Sequence, residues 1–183
     1  KIGNESQDNM YKMSMPGRSF IQRFLHQTVE AKCDYVVMEI TSQGVIQHRN
    51  KFIDLQGLVF TNLSPEHIES HGSYEKYVQA KVDIARGVVP EGAIIANGED
   101  KETPKFLVAN VKNKITYSTK DAEPFTILPE GIDFTIRGEK VHSPLSGLFN
   151  LSNILAAIAT AQHLKVSDEI IIQAIEKFKG IKG

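Results

Sequence analysis

Two apolar runs each end in polar residues that could bind a charged ligand or a metal ion. Glu39 follows residues 35–38 (YVVM), and Asn62 follows residues 58–60 (LVF) after one threonine. Both runs have the length and composition of strands, and the first predicts a strand buried on both faces. Because ligands bind outside the carboxyl ends of parallel strands in open α/β sheets, Glu39 and Asn62 are candidates for one site. The alternative for Glu39 is that the chain simply reaches solvent there.

A lysine occurs among the apolar positions of a predicted helix. Ser73 is a favourable N-cap residue, and Tyr77, Val78, Lys81 and Val82 follow it at helical spacing. A lysine in such a stripe usually packs its stem and carries its ammonium to water. The alternative is a lysine that loses its positive charge or whose charge takes part in the function of a site, since a buried ammonium is costly and its pKa shifts readily.

A short helical turn is predicted between Asn62 and that helix. Ser64, Pro65 and Glu66 are an N-cap residue, a first-turn proline and a first-turn acid, and Gly72 ends the turn. The turn carries His67 and places it close to Asn62 in sequence.

Helices and strands alternate along the chain, which predicts an α/β fold with a mainly parallel sheet flanked by helices. Alternating apolar residues over 126–145 predict a small antiparallel subsheet beside the main sheet. We expect one domain over residues 1–183, with the subsheet within 88–145. The predicted helices cover residues 20–33, 73–84, 150–161 and 169–179, and the predicted strands or β-rich runs cover 35–38, 58–60, 92–97, 106–111, 115–118, 125–128 and 132–136.

Composition favours an ordinary soluble domain. A net charge of −1 over 183 residues gives no electrostatic case for nucleic acid or an anionic membrane. No apolar run approaches the length of about 18 residues that a membrane span requires. The single cysteine, Cys33, cannot form an internal disulfide, so we expect a cytoplasmic protein. The sequence leaves the oligomeric state open, and a monomer is the default expectation.

Five short blocks resemble the central domain of the Mur ligases, in the order and spacing of that family. They are residues 39–44 (EITSQG), 47–49 (QHR), 61–67 (TNLSPEH), 71–72 (HG) and 80–81 (AK). Within the family they are most similar to the branch that adds the third residue of the peptidoglycan stem peptide. The resemblance implies ATP-dependent amide formation through an acyl phosphate, with UDP-N-acetylmuramoyl dipeptide, ATP and an amino acid as partners.

The resemblance also implies roles for individual residues. Glu39 and His67 would hold Mg²⁺, and Lys81 matches a lysine that becomes carbamylated in the family. The remaining matches are substrate-contacting positions at Ser14, Thr41, Gln47 and Arg49, and cofactor-contacting positions at Asn62, Asn150 and Asn153.

Several of these matches have simpler alternatives. Arg49 could be a solvated surface arginine, although its fork suits a carboxylate or phosphate. Asn150 could be a plain N-cap rather than an adenine contact. Ser14 is followed by Met15, where the family commonly has a second threonine, so only Ser14 is assigned to the substrate loop.

The chain contains no G-x-x-x-x-G-K-[ST] and no G-x-G-x-x-G motif. In the resembled family a phosphate loop lies upstream of a segment similar to residues 2–5, and residues 180–183 resemble the hinge into a C-terminal domain. We therefore expect a fragment that is inactive in isolation. Two alternatives remain: a non-catalytic module that binds a nucleotide sugar, and a related ligase with another acceptor. The identity of the added amino acid, diaminopimelate or lysine, also remains open.

Overall fold

The computed structural model describes residues 1–3, 5, 14–64 and 72–180. The chain divides into two units. The first unit consists of Lys1–Asp54 and Pro65–Ile84, and the second of Leu55–Ser64 and Ala85–Gly183.

Helices dominate the described part of the first unit. They are α1 (Arg18–Glu30), α2 (Ser42–Ile46) and α3 (Tyr74–Arg86), of which α3 belongs to this unit as far as Ile84. The start of α3 follows the predicted capping, because Ser73 Oγ accepts a hydrogen bond from Lys76 N at 3.3 Å. Both α1 and α3 confirm helices predicted from apolar spacing.

Residues 35–38 form no strand, which contradicts the prediction. Val37 is 98% exposed and Tyr35 is 61% exposed, and no described strand pairs with this segment. Apolar β-branched residues favour a strand only where a neighbouring strand supplies hydrogen bonds and a packing face. Glu39 therefore follows an irregular segment and not a strand end.

A parallel sheet forms the centre of the second unit, as predicted. Its strand order is β1 (Leu55–Phe60), β2 (Val88–Asn97) and β3 (Asn113–Tyr117), and both pairings are parallel. Residues 93–96 of β2 are each at most 2% exposed. Such a continuous apolar run is typical of a central strand covered on both faces.

The predicted antiparallel subsheet is also present in the second unit. It consists of β4 (Thr126–Leu128), β5 (Gly131–Ile136) and β6 (Glu139–Ser143) in that order. Ile132, Phe134 and Ile136 are buried, while Asp133 between them is exposed. The alternation of period two thus points one face of β5 into the core.

Two C-terminal helices complete the core of the second unit. Helix α5 (Leu148–His163) contacts β2 and β3, and helix α6 (Asp168–Lys177) contacts β6. Leu151, Ile154, Leu155 and Ile158 recur on one face of α5 and are all buried. This face therefore joins residues of both sheets into one apolar cluster.

The β-rich run predicted at residues 106–111 is wrong. A short helix, α4 (Thr103–Phe106), ends there, with a proline in its first turn. Phe106 is 1% exposed, and its ring stacks on Phe60 with centroids 3.9 Å apart. Its apolar character thus serves packing against the parallel sheet and not strand pairing. A single turn of 3₁₀ helix (Thr119–Ala122) follows β3.

No described helix is long and apolar enough to cross a membrane.

Candidate functional site

The predicted site residues fall into both units. The first unit contains Ser14, Glu39, Thr41, Gln47, Arg49 and Lys81, and the second contains Asn62, Asn150 and Asn153. His67, with the helical turn predicted to carry it, lies outside the described residues.

The guanidinium of Arg49 is held by two acceptors in the first unit. Its Nε and Nη2 donate to Gln47 Oε1 at 2.9 and 2.5 Å, and its Nη1 donates to the carbonyl oxygen of Met15. A guanidinium has five N–H donors, so one remains on each terminal nitrogen. Arg49 is thus more ordered than a solvated surface arginine, and it keeps donors for an anionic ligand.

The backbone at the end of α2 explains where Arg49 points. His48 N donates to Val45 O, and Arg49 N donates to Gly44 O, both at 2.8 Å. With His48 at φ 53°, these bonds form a Schellman motif, which ends a helix through one left-handed residue. At the other end of α2, Thr41 Oγ1 accepts from Gly44 N at 3.1 Å. The hydroxyl of Thr41 therefore acts as an N-cap and still has its own proton to donate.

Lys81 lies on the half-buried side of α3. Burial lowers the pKa of Lys81, and the nearby charge of Glu39 acts in the opposite direction. The Lys81 ammonium also lies 5.8 Å from the ring centroid of Tyr77, within the range of a cation–π contact. The structure thus places the charge of Glu39 close enough to Lys81 to act on its pKa.

A complete metal site is not assembled by the residues that the structure describes. Across residues 1–3, 5, 14–64 and 72–180, no three His, Cys, Asp or Glu side chains group as metal ligands. Glu39 is exposed and supplies one carboxylate, and His67 falls outside these ranges.

A polar network that sequence reasoning missed lies where the parallel strands of the second unit end. Asn97, the last residue of β2, is 9% exposed, and its Nδ2 donates to Thr61 O at 2.9 Å and to Ser152 Oγ at 3.5 Å. Its Oδ1 accepts from Glu99 N at 2.9 Å. One side-chain amide thus links the end of β1, the loop after β2 and the first turns of α5.

Asp100 and Tyr117 extend this network. Asp100 Oδ2 accepts from Leu63 N at 2.9 Å, so it holds the loop that follows β1. Tyr117, the last residue of β3, donates from its hydroxyl to Phe60 O at 3.2 Å. Burial raises the pKa of Tyr117 to about 12, with Asp100 adding to the rise and a hydrogen bond with Ser152 opposing it.

The three predicted cofactor-contacting asparagines have different surroundings. Asn150 Nδ2 donates to Ser146 O at 2.7 Å, so part of its amide serves the backbone, while Asn62 is exposed. Asn153 is half-buried, and its side-chain amide hydrogen-bonds to no other residue in the described part of the chain. Phe149 is 66% exposed and precedes Asn153 by one helical turn, so the ring and the amide share one face of α5.

The sequence did contain a signal for the missed network. Asn97 ends a buried strand just as Asn62 follows one, and the argument applied to Asn62 fits it equally well. No sequence signal predicts the contact of Arg49 with Met15, because the two residues are 34 positions apart.

Comparison with known proteins identifies the family of the chain. Residues 2–161 match the family model described as the Mur ligase middle domain. The UDP-N-acetylmuramoyl-L-alanyl-D-glutamate–2,6-diaminopimelate ligase of Gloeobacter violaceus is 35% identical over 174 residues, which are 89% of this chain and 35% of that protein. The ligase of the same name from Chlamydia abortus is 30% identical over 192 residues, covering all of this chain and 39% of its own length. The chain therefore spans a little over a third of the length of these curated relatives.

Solved structures show the same fold. A UDP-N-acetylmuramoyl-L-alanyl-D-glutamate–2,6-diaminopimelate ligase matches 90% of this chain and 36% of its own, with a TM-score of 0.78 at 22% identity. The UDP-N-acetylmuramoylalanyl-D-glutamyl-2,6-diaminopimelate–D-alanyl-D-alanyl ligase of Acinetobacter baumannii matches 84% of this chain and 36% of its own, with a TM-score of 0.70 at 29% identity. The family match over residues 2–161 shows that the chain belongs to the Mur ligase family and carries its middle domain.

Proposed function

We propose that the protein acts in peptidoglycan synthesis as an ATP-dependent ligase that joins an amino acid to UDP-N-acetylmuramoyl-L-alanyl-D-glutamate. The observation that carries the proposal is the half-buried Lys81, whose ammonium lies 5.8 Å from the Tyr77 ring centroid and is influenced by the charge of Glu39, in a chain whose relatives are named for that substrate. In such a reaction the substrate carboxylate takes a phosphoryl group from ATP, and the amine then displaces phosphate to form the amide. We propose a cytoplasmic location, where these substrates are made.

Lys81 would serve this chemistry as a carbamate. A lowered pKa leaves more of the lysine as the neutral amine, which can add to carbon dioxide and release a proton. The resulting anion, with Glu39 and His67, would supply the oxygen and imidazole donors that hold Mg²⁺ against phosphate oxygens. A carboxylate beside a modifiable lysine fits a hard cation of this kind.

The muramoyl dipeptide would bind in the first unit. The two free N–H groups of Arg49 suit a carboxylate or phosphate, while Thr41 and Ser14 have hydroxyl groups to donate. Gln47 would act mainly by holding Arg49, because its Oε1 already accepts from two guanidinium nitrogens.

The nucleobase of ATP would bind on the face of α5 that carries Phe149 and Asn153. An exposed ring offers a stacking surface, and an unoccupied amide can both donate to and accept from a base edge. Asn150 and Asn62 would contribute the remaining polar contacts of the nucleotide.

Isothermal titration with UDP-N-acetylmuramoyl-L-alanyl-D-glutamate tests the substrate assignment. We expect the Arg49→Ala variant to bind about 10- to 150-fold more weakly, the range for losing a hydrogen bond to a charged group. Arg23→Ala, at an exposed position of α1, is the matched control and should bind like the unmodified chain. A folded chain without measurable binding would contradict the assignment. Binding of this ligand by a full-length parent protein that never turns over ATP would favour a binding module.

Carbon-13 NMR in labelled bicarbonate tests the role of Lys81. We expect one carbamate signal that is lost in Lys81→Gln and kept in Lys76→Gln, an exposed lysine of the same helix. A signal that survives Lys81→Gln would assign the modification to another amine. The 183-residue chain alone should form no amide, because its sequence has no phosphate loop to cradle ATP.

A further inference from the structure

We propose that Met15 and Gly44 form a size-matched contact that positions Arg49 for the muramoyl substrate. Here this contact is called the Met15–Gly44 seat. The inference rests on the proposed function for the identity of the ligand, whereas the seat itself follows from the packing of the first unit.

Met15 is buried in a segment that otherwise lies near the surface. It is 1% exposed, whereas Ser14 and Gly17 are exposed and Pro16 is half-buried. A Cβ added to Gly44 would lie 2.2 Å from Met15 Sδ, 3.1 Å from Thr41 Oγ1 and 3.3 Å from Met15 Cγ. The side chain of Met15 therefore occupies the space that any side chain at residue 44 would need.

The seat is connected to Arg49 at both of its ends. The carbonyl oxygen of Gly44 accepts from Arg49 N at 2.8 Å, and the carbonyl oxygen of Met15 accepts from Arg49 Nη1. Met15, Gly44 and Arg49 thus form a closed circuit of one packing contact and two hydrogen bonds. Gln47 holds the opposite side of the guanidinium through Nε and Nη2.

This circuit makes Met15 and Gly44 positioning residues. A free arginine side chain loses rotamer freedom when it binds, and that loss weakens affinity. An arginine that is already held in place loses less, and its two remaining N–H groups point in a set direction. A larger residue at position 44 would push against Met15 Sδ. Because Met15 is 1% exposed and packed on all sides, we expect this push to shift the Met15 backbone and weaken the bond between its carbonyl oxygen and Nη1.

A double-mutant cycle tests the proposal. We expect Gly44→Ala to weaken binding of UDP-N-acetylmuramoyl-L-alanyl-D-glutamate about tenfold, although alanine is the better helix former. Met15→Ala should weaken it less, about threefold, because the carbonyl group is kept. The double variant Gly44→Ala/Met15→Ala should bind like Met15→Ala alone, since removal of the methionine side chain takes away the 2.2 Å contact. The remaining 3.1 Å approach to Thr41 Oγ1 needs a shift of only a few tenths of an ångström. The far-ultraviolet circular dichroism spectrum should be the same in all four proteins, which separates positioning from a general loss of folding.

Two results would overturn the proposal. The first is a Gly44→Ala variant that binds the ligand like the unmodified chain. The second is a double variant whose fold-loss of affinity equals the product of the fold-losses in the two single variants. If the unmodified chain does not bind the ligand, the proposed function fails, and the seat is tested by peroxide oxidation followed with mass spectrometry. Met15 should then oxidise several-fold more slowly than half-buried Met38 in the unmodified chain, and faster after Gly44→Ala. Equal oxidation of Met15 and Met38 in the unmodified chain would show that the seat does not exist.

Discussion

Replacing Asn97 with aspartate changes one buried donor into an acceptor at nearly constant shape. In the native chain Asn97 Nδ2 donates to Thr61 O at 2.9 Å, and Oδ1 accepts from Glu99 N at the same distance. An aspartate keeps the second bond but turns a carboxylate oxygen toward the Thr61 carbonyl oxygen. The lost hydrogen bond costs about 1 kcal/mol, and the two buried acceptors left facing each other cost about 1–3 kcal/mol more. We therefore expect Asn97→Asp to lower the free energy of unfolding by about 3 kcal/mol at pH 7.

Urea unfolding at pH 7 and at pH 4 checks this expectation. The carboxylate at residue 97 is disfavoured in the folded state, so its folded pKa should lie above its unfolded value of about 3.9. The folded state then binds the proton more tightly, and the deficit relative to the native chain should shrink as pH falls. Asn110→Asp, at an exposed position, should change stability by less than about 0.5 kcal/mol. A pH-independent deficit, or none at pH 7, would refute the role given to the Asn97 amide.

Three further outcomes follow from burial and protonation. Burial raises the pKa of Tyr117 in the folded state to about 12, above its ordinary value near 10. The folded state therefore keeps the phenol proton at a pH where the unfolded state loses it, and the free energy of unfolding should fall between about pH 10 and 12. Tyr117→Phe should remove that part of the alkaline dependence in thermal unfolding, and an unchanged profile would exclude Tyr117 as its cause. Phe106→Ala should cost about 3–5 kcal/mol in urea unfolding, because it removes a fully buried ring stacked on Phe60, and a loss under 1 kcal/mol would contradict that packing. Val37→Thr should change stability by less than about 0.5 kcal/mol because the side chain is 98% exposed; a large loss would mean that residues 35–38 are packed after all.

Elements with a strong pattern of their own were predictable from the sequence. Helix α5 repeats Leu151, Ile154, Leu155 and Ile158 at a spacing that only a helix places on one face. Strand β2 has a continuous apolar run bounded by polar residues, which is typical of the centre of a parallel sheet. For such segments, local pattern and tertiary packing favour the same structure.

Segments whose structure depends on contacts with distant parts of the chain were not predictable. Residues 35–38 have strand composition, but composition does not supply the neighbouring strand that a ladder requires. Phe106 was assigned to a strand because of its apolar neighbours, although Pro104 just before it is a helix-start signal.

In the candidate site, too, some residues have a local sequence signal and others depend on contacts between distant parts of the chain. Lys81 could be identified because its apolar neighbours place it on the packed side of α3. The influence of the Glu39 charge on Lys81 depends on the path of the chain between them, which no local pattern specifies. The distance in sequence between Met15 and Arg49 likewise hides the contact that orders the guanidinium.

The network around Asn97 also bears on how long the chain survives chemically. Asn97 is followed by Gly98, and asparagine–glycine pairs are prone to deamidation when the glycine nitrogen attacks the side-chain amide carbon. Here Gly98 N donates to Tyr117 O at 2.8 Å, and both ends of the Asn97 amide are hydrogen-bonded. The attack requires these bonds to break, so the rate of deamidation of Asn97 should depend on how often the ends of β2 and β3 separate. The deamidation rate of this dipeptide can therefore serve as a measure of local opening at the ends of these strands.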